Sequence, residues 1–174
     1  MFGSNSEGQL GVGDHSLKAS DNPLLVESLS MFQAVALSCG AYHSAAINDK
    51  GEIYAWGYGD RGALGYGANE SQWFPVRMIT QASTASVAPP PQIKGKDVTC
   101  GDDHTLVIDV NGKLYATGCN EHGQLGNGTK NSENALVPAT GLLEKVGQAA
   151  AGAKHSLILT ESGKLLGTGC NLQG

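Results

Sequence analysis

The stretch Gly101-Asp-Asp-His-Thr-Leu-Val-Ile-Asp-Val-Asn-Gly-Lys-Leu-Tyr-Ala-Thr-Gly118 decides the fold, because the chain writes its pattern three times. Gly40 to Gly57 and Gly152 to Gly169 align with it without gaps. Each copy has Gly first, His fourth, Ser or Thr fifth, Gly twelfth and Gly last. Within each copy an apolar run, a polar turn ending in Gly and a second apolar run predict a β-hairpin. Glycine suits such a turn because it reaches positive φ at little steric cost. The turns are Asn48-Asp-Lys-Gly51, Asp109-Val-Asn-Gly112 and Thr160-Glu-Ser-Gly163.

Working outward, a glycine-rich segment follows each copy. Gly57-Tyr-Gly-Asp-Arg-Gly-Ala-Leu-Gly65 and Gly118-Cys-Asn-Glu-His-Gly-Gln-Leu-Gly126 follow the first two, Gly169 to Gly174 begins a third, and Gly3-Ser-Asn-Ser-Glu-Gly-Gln-Leu-Gly11 opens the chain. Short β-prone runs, Val35–Cys39 and Val98–Cys100, precede the Gly-x-x-His motifs. A further strand is expected to start near Pro75-Val76 and near Pro138, since proline suits a strand's beginning or edge. Thr140 to Ala151 is the one stretch that reads as a short helix. The repeat period is 51 to 61 residues. Sheets repeated at that period, each too small to bury a core alone, predict propeller blades. The expected layout is a partial repeat over 1–34, repeats over 35–80 and 98–147, a partial repeat over 148–174, and a Pro-rich insert loop over 81–97 that accounts for the longer spacing.

Composition fits this layout. The 25 glycines are about twice the usual ~7% share. They have no every-third-residue period, which excludes collagen. At least 15 fall on repeat positions. A hydrophobic share of 40% argues against disorder. No apolar run approaches the ~20 residues of a membrane span. The N-terminus shows neither a basic nor an apolar leader. A net charge of −5 disfavours direct nucleic-acid binding.

The motif set Gly-x-x-His-[Ser/Thr], Tyr54-Ala-Trp-Gly57 and Gly118-Cys-Asn-Glu-His-Gly-Gln-Leu-Gly126 resembles the RCC1 repeat family. The resemblance runs from Gly3 to Gly174, apart from the insert. No Trp-Asp pair or Gly-Gly pair supports the WD40 or kelch alternatives. The resemblance implies an all-β, RCC1-type β-propeller of seven blades, of which this chain supplies a partial one, about three blades of four antiparallel strands each. Half a disc would expose blade edges. Completion is therefore expected from further chain, from a second copy or from a larger assembly.

His43, His104 and His155 recur in register. Stamping the same residue into every repeat favours a buried structural His, tied by hydrogen bonds between strands or blades, over a three-His metal site. Gly40, Gly101, Gly152, Gly57, Gly118 and Gly169 share that structural role. Gly57-x-Gly59-x-x-Gly62 matches a dinucleotide fingerprint, but it lacks the strand-to-helix context that the fingerprint needs. Asn5 and Asn120 stand where Gly59 stands, and are expected to share a positive-φ backbone with it. Cys39, Cys100, Cys119 and Cys170 lack metal-ligand spacing and read as small filler. Free thiols fit a reducing, intracellular compartment. The sequons at Asn69 and Asn127 matter only in a secreted chain. Trp56 occupies a core position.

Variable positions in a fixed frame are where a propeller writes specificity. The pairs between Gly and His are Ala41-Tyr42, Asp102-Asp103 and Ala153-Lys154. Tyr42, Asp102, Asp103 and Lys154 are therefore partner-contact candidates. Pro89, Pro90 and Pro91 join them, because a proline run is a ready-made polyproline II docking segment. The competing expectation is plain solvated loops. The resemblance implies that acidic residues at the place of Asp103 face a small GTPase in the family's exchange factor. It also implies clustered Trp and Arg in a plant ultraviolet sensor, and this chain lacks them. No catalytic residue, metal or cofactor is expected. The function expected is a non-catalytic protein-interaction scaffold. The alternatives are a guanine-nucleotide exchange factor for a small GTPase and a targeting module of a larger protein such as a ubiquitin ligase.

Overall fold

In the computed structural model, which describes residues 1–81 and 92–172, each Gly-x-x-His motif sits between two strands of one sheet. The first full sheet is β3 (Ala34–Cys39), β4 (His43–Asn48), β5 (Ile53–Gly57) and β6 (Gln72–Arg77), each antiparallel to its neighbour in sequence. The second is β7 (Gly95–Cys100), β8 (His104–Asp109), β9 (Leu114–Gly118) and β10 (Glu133–Pro138), with the same order. The third has three strands, β11 (Val146–Ala151), β12 (His155–Thr160) and β13 (Leu165–Gly169). At the other end β1 (Gly3–Ser4) pairs with β2 (Ala19–Ser20). Their place in the repeat is that of the third and fourth strands of a preceding blade. The all-β propeller architecture thus holds, as two complete blades flanked by two partial ones. Among the described residues the one helical element is a 3-10 turn, Glu27–Leu29, and no helix is long and apolar enough to cross a membrane.

The hairpin turns behave as their sequence requires. Gly51, Gly112 and Gly163 have φ of +78°, +79° and +87°. The preceding Asn48 and Asp109 cap them: Asn48 Oδ1 accepts from the amides of Lys50 and Glu52, and Asp109 Oδ1 from those of Asn111 and Lys113. Such side-chain acceptors fix a turn without the rest of the protein. The first two turns also join the next blade, since the amides of Gly95 and Val146 donate to the carbonyls of Gly51 and Gly112.

The core lies between blades. One cluster sets Ala45, Ile47, Ile53 and Ala55 of the first blade against Val98, Cys100 and Val107 of the second. The next repeats it one step on, with Leu106, Ile108, Leu114 and Ala116 against Val146, Ala149 and Ile158. β8 is buried along its whole length between two neighbouring blades, and β4, packed against the second blade on one face, is buried along its length too.

Several expectations are corrected. Val146–Ala151 is a strand: its Ala-rich composition favours a helix locally, but pairing with β12 wins. Pro75 lies inside β6 rather than at its start, where the register shifts between the Ala55 and Gly57 pairs and no ladder amide is needed. Pro138 ends β10, opposite Tyr115. Thr80 and Gln81 pair with Leu136, and β7 opens at Gly95, so both margins of the 81–97 insert belong to the body. Pro89, Pro90 and Pro91 lie outside the described residues. No non-glycine residue among those described has positive φ, and Gly59 does not either. Asn5 and Asn120 are instead fully buried organisers of their loops. Asn120 Nδ2 donates to Asn127 Oδ1 and to the carbonyls of Thr129 and Asn131, while its Oδ1 accepts from Leu125 N–H. Asn5 does the same with the carbonyls of Asp14 and Leu17 and the amide of Leu10. Gly59 serves close packing, since a Cβ there would strike the carbonyl of Glu70.

Candidate interaction face

The Gly-x-x-His loop is built by a local hydrogen-bonded turn and a contact with the next blade. The amides of Gly40, Gly101 and Gly152 donate to the carbonyls of His43, His104 and His155. A Cβ on Gly40 would run into the carbonyl oxygen of Gly101, and one on Gly101 into that of Gly152. Glycine is thus required where successive blades approach most closely.

The histidines do not converge on a common point. His43 Nε2 lies 2.9 Å from Thr105 Oγ1 in the next blade, and His104 Nε2 lies 2.9 Å from Ser156 Oγ. Thr105 Oγ1 donates in turn to the carbonyl of Ala63 (2.8 Å), and Ser156 Oγ to that of Gln124 (2.7 Å). Because each hydroxyl proton is committed to a carbonyl, each imidazole donates through Nε2–H. The result is a latch: the His of one blade, the hydroxyl of the next, and the carbonyl before Leu in a Gly-x-Leu-Gly loop. Ser44 makes the same bond to the carbonyl of Gln9 (2.9 Å). Burial pushes His43 and His104 down to about 4, with the neighbouring imidazole adding to the shift in each case; a backbone hydrogen bond at Asp102 opposes it for His43. Among the described residues no three His, Cys, Asp or Glu side chains are grouped to hold a metal ion. Cys100 is buried, and burial raises its thiol to about 12, which fits the filler role.

The residues between Gly and His point outward from this frame. Tyr42, Asp102 and Lys154 are exposed and Asp103 is half-buried. The structure brings Tyr42 and Asp103 together with Glu7, Tyr58 and Arg61 around a pocket of about 280 Å³. The Tyr42 and Tyr58 rings meet edge-on at 6.4 Å, and the Tyr58 amide donates to the Tyr42 carbonyl. Arg61 reaches across to Glu121 in the next loop (2.8 Å). The Tyr58 phenol is raised, first by burial and then by the negative charges of Asp60 and Asp103, with Arg61 opposing. Asp102 and Lys154 lie outside this pocket. Glu7, Tyr58 and Arg61 are not flagged by the variable pairs. They occupy the variable positions of the glycine-rich loops, which the backbone bond to Tyr42 carries to the same place.

The comparisons with known proteins agree with this geometry. The sequence matches the Regulator of chromosome condensation (RCC1) repeat over residues 1–47, 50–108 and 111–159, and a second form of that repeat over 34–63, 96–124 and 148–174. It is 32% identical to the Ultraviolet-B receptor UVR8 of Arabidopsis thaliana over 99% of this chain and 37% of that protein. It is 33% identical to the Probable E3 ubiquitin-protein ligase HERC6 of Homo sapiens, over 99% of this chain and 16% of that protein. The chain therefore spans well under half the length of these relatives. Among solved structures, human WBSCR16 matches with a TM-score of 0.73 at 26% identity, over 99% of this chain and 44% of that one. Prp20p of Saccharomyces cerevisiae matches with a TM-score of 0.77 at 21% identity, over 99% and 41%, which bears on the fold alone. The family match covers most of the chain and falls on the residues that form the latch and the blades: the chain belongs to the RCC1 repeat family.

Proposed function

We propose that this chain is a non-catalytic protein-binding module whose contact face is the loop face bearing Tyr42, Asp102, Asp103 and Lys154. The observation that carries this reading is the pocket between Tyr42, Tyr58, Glu7 and Asp103. Two phenol rings and two carboxylates around a small cavity suit a Lys or Arg side chain of a partner, held by charge and by ring–cation attraction. Arg61, tied to Glu121, forms its wall. The partner is thus a protein segment rich in basic residues, and the face is unsuited to phosphate. Prp20p, a protein of this fold, is described with its binding to Gsp1p and histones.

Exchange on a small GTPase is a second, narrower reading, supported by the outward Asp102-Asp103 pair. It would act by displacing the nucleotide, with no covalent step. A targeting role within a longer protein is supported by the likeness to HERC6, of which the matched part is a small share.

The test is binding of a lysine-rich peptide, followed by fluorescence anisotropy, to the full chain and to variants Tyr42→Ala and Asp102→Ala/Asp103→Ala. Both variants should bind several-fold more weakly at unchanged melting temperature, and added salt should weaken the parent. Equal binding by all three would refute the reading. Nucleotide release from a panel of small GTPases tests the second: no acceleration by the chain rejects it for those GTPases.

A further inference from the structure

What recurs in every repeat belongs to the frame, and what stands in one repeat alone is free to meet a partner. Tyr42 holds the place of Asp103 and Lys154, and Tyr58 that of Cys119 and Cys170. The backbone at these places is the same in each blade. The amides of Tyr58, Cys119 and Cys170 donate to the carbonyls of Tyr42, Asp103 and Lys154 at 2.9, 2.8 and 2.8 Å. A small thiol serves the frame in two blades, so the fold does not require a phenol ring at Tyr58. The pair of rings is peculiar to the first blade. It faces two carboxylates that lack a cation. Glu7 and Asp103 are half-buried in the wall of the same pocket, and neither side chain has a hydrogen bond or an ion pair among the described residues. Arg61, the cation of this pocket, is engaged elsewhere: its Nη1 lies 2.8 Å from Glu121 Oε1 and 3.8 Å from Cys119 Sγ. The negative field reaches the rings, since the Tyr58 phenol is raised by burial first, then by Asp60 and Asp103 and, after the opposing Arg61, by Glu7.

Resting on the loop-face reading, we propose that this pocket takes a lysine side chain of a partner protein that carries one or two methyl groups, in preference to unmodified or trimethylated lysine. The two rings meet edge-on, with 6.4 Å between centroids and 69° between planes, and so form a two-walled corner. Methyl groups spread the charge of an ammonium over an apolar surface that packs on ring faces, and they loosen the tight hydration of the bare ion. The carboxylates set the opposite demand, because each accepts an N–H. A monomethylated ammonium keeps two N–H donors, one for each carboxylate, and a dimethylated one keeps one. A trimethylated ammonium keeps none, and leaves two half-buried carboxylates without a donor. An unmodified ammonium has three donors but no methyl group for the corner. Rings and carboxylates together therefore select the intermediate states.

The test is fluorescence anisotropy of the full chain with one lysine-rich peptide made in four forms, its central lysine unmodified, monomethylated, dimethylated or trimethylated. The monomethylated and dimethylated forms should bind roughly five-fold more tightly than the other two. Tyr58→Leu should bind the unmodified, monomethylated and dimethylated forms alike, and Glu7→Gln should lose the discrimination against the trimethylated form; circular dichroism verifies that each variant is folded. Equal binding of all four forms by the parent overturns the proposal and leaves the loop-face reading standing. Tightest binding of the trimethylated form overturns it too, since the carboxylates then have no part in the choice. So does a preference that survives in Tyr58→Leu. Binding of none of the four forms removes the loop-face reading and this proposal with it.

Discussion

Replacing Thr105 by Val keeps the shape of the side chain and removes only its hydroxyl. That hydroxyl accepts from His43 Nε2 at 2.9 Å and donates to the Ala63 carbonyl at 2.8 Å, and Thr105 itself is 0% exposed. The substitution leaves two buried groups unpaired, an imidazole N–H on one side and a peptide carbonyl on the other. Each such orphan costs about 1–3 kcal/mol, so the variant should lose about 2–6 kcal/mol. With an ordinary dependence on denaturant, that is a fall in the urea midpoint on the order of 1–3 M. Thr168→Val is the control. Thr168 donates to the Gly123 carbonyl at 2.7 Å but is half-buried and holds no imidazole, so water can replace it and the loss should stay near ~1 kcal/mol. Urea unfolding followed by far-ultraviolet circular dichroism measures both. Adding His43→Leu to Thr105→Val should cost less than the two single losses together, because the imidazole orphan disappears with its ring. Equal destabilisation by Thr105→Val and Thr168→Val would refute the view that the latch ties blades together.

Two further outcomes follow from the same junctions. His43 and His104 titrate near 4 when folded against an ordinary 6.5, so between those values the unfolded chain binds more protons and stability rises with pH. Stability should therefore be full above about pH 6.5 and fall as pH drops toward 4, by roughly 3 kcal/mol per histidine; urea midpoints at closely spaced pH values measure this, and a flat profile would contradict it. Gly101→Ala should cost several kcal/mol, because the new methyl group meets the Gly152 backbone carbonyl, whereas Gly123→Ala, with nothing near its Cβ and only a φ of +85° to strain, should cost about 1 kcal/mol; comparable losses in thermal melts would reject close approach as the reason for glycine.

The blades are legible in the sequence because hairpin alternation, a Gly turn and a fixed period all specify the same structure. The role of the histidines is legible for a related reason, since what recurs in every repeat belongs to the frame. Elements decided by distant partners are not legible. Val146–Ala151 carries five of its six residues as Gly, Gln or Ala, and only β12 makes it a strand. Asn5 and Asn120 look like turn residues because Asn tolerates unusual backbone angles. Their actual work, three or more hydrogen bonds to a loop folded around the side chain, becomes visible only when the loop is closed. The pocket was half legible: Tyr42 and Asp103 stand out as variable positions, whereas Glu7, Tyr58 and Arg61 come from other loops that the fold carries alongside.

The latch has a direction. His43 and His104 reach forward, and the hydroxyls of Thr105 and Ser156 are borrowed by the blade behind, so damage at Thr105 is felt first at His43, in the preceding blade, while the blade that follows keeps its own His104–Ser156 pair. The two latched junctions make the same exchange, one with Thr and one with Ser, so removing a whole repeat between them would leave a joint of the same chemistry. A cut out of register instead separates a donor from its acceptor. The chain is thus free to change its number of blades in whole steps, while its outward loops change independently of the count.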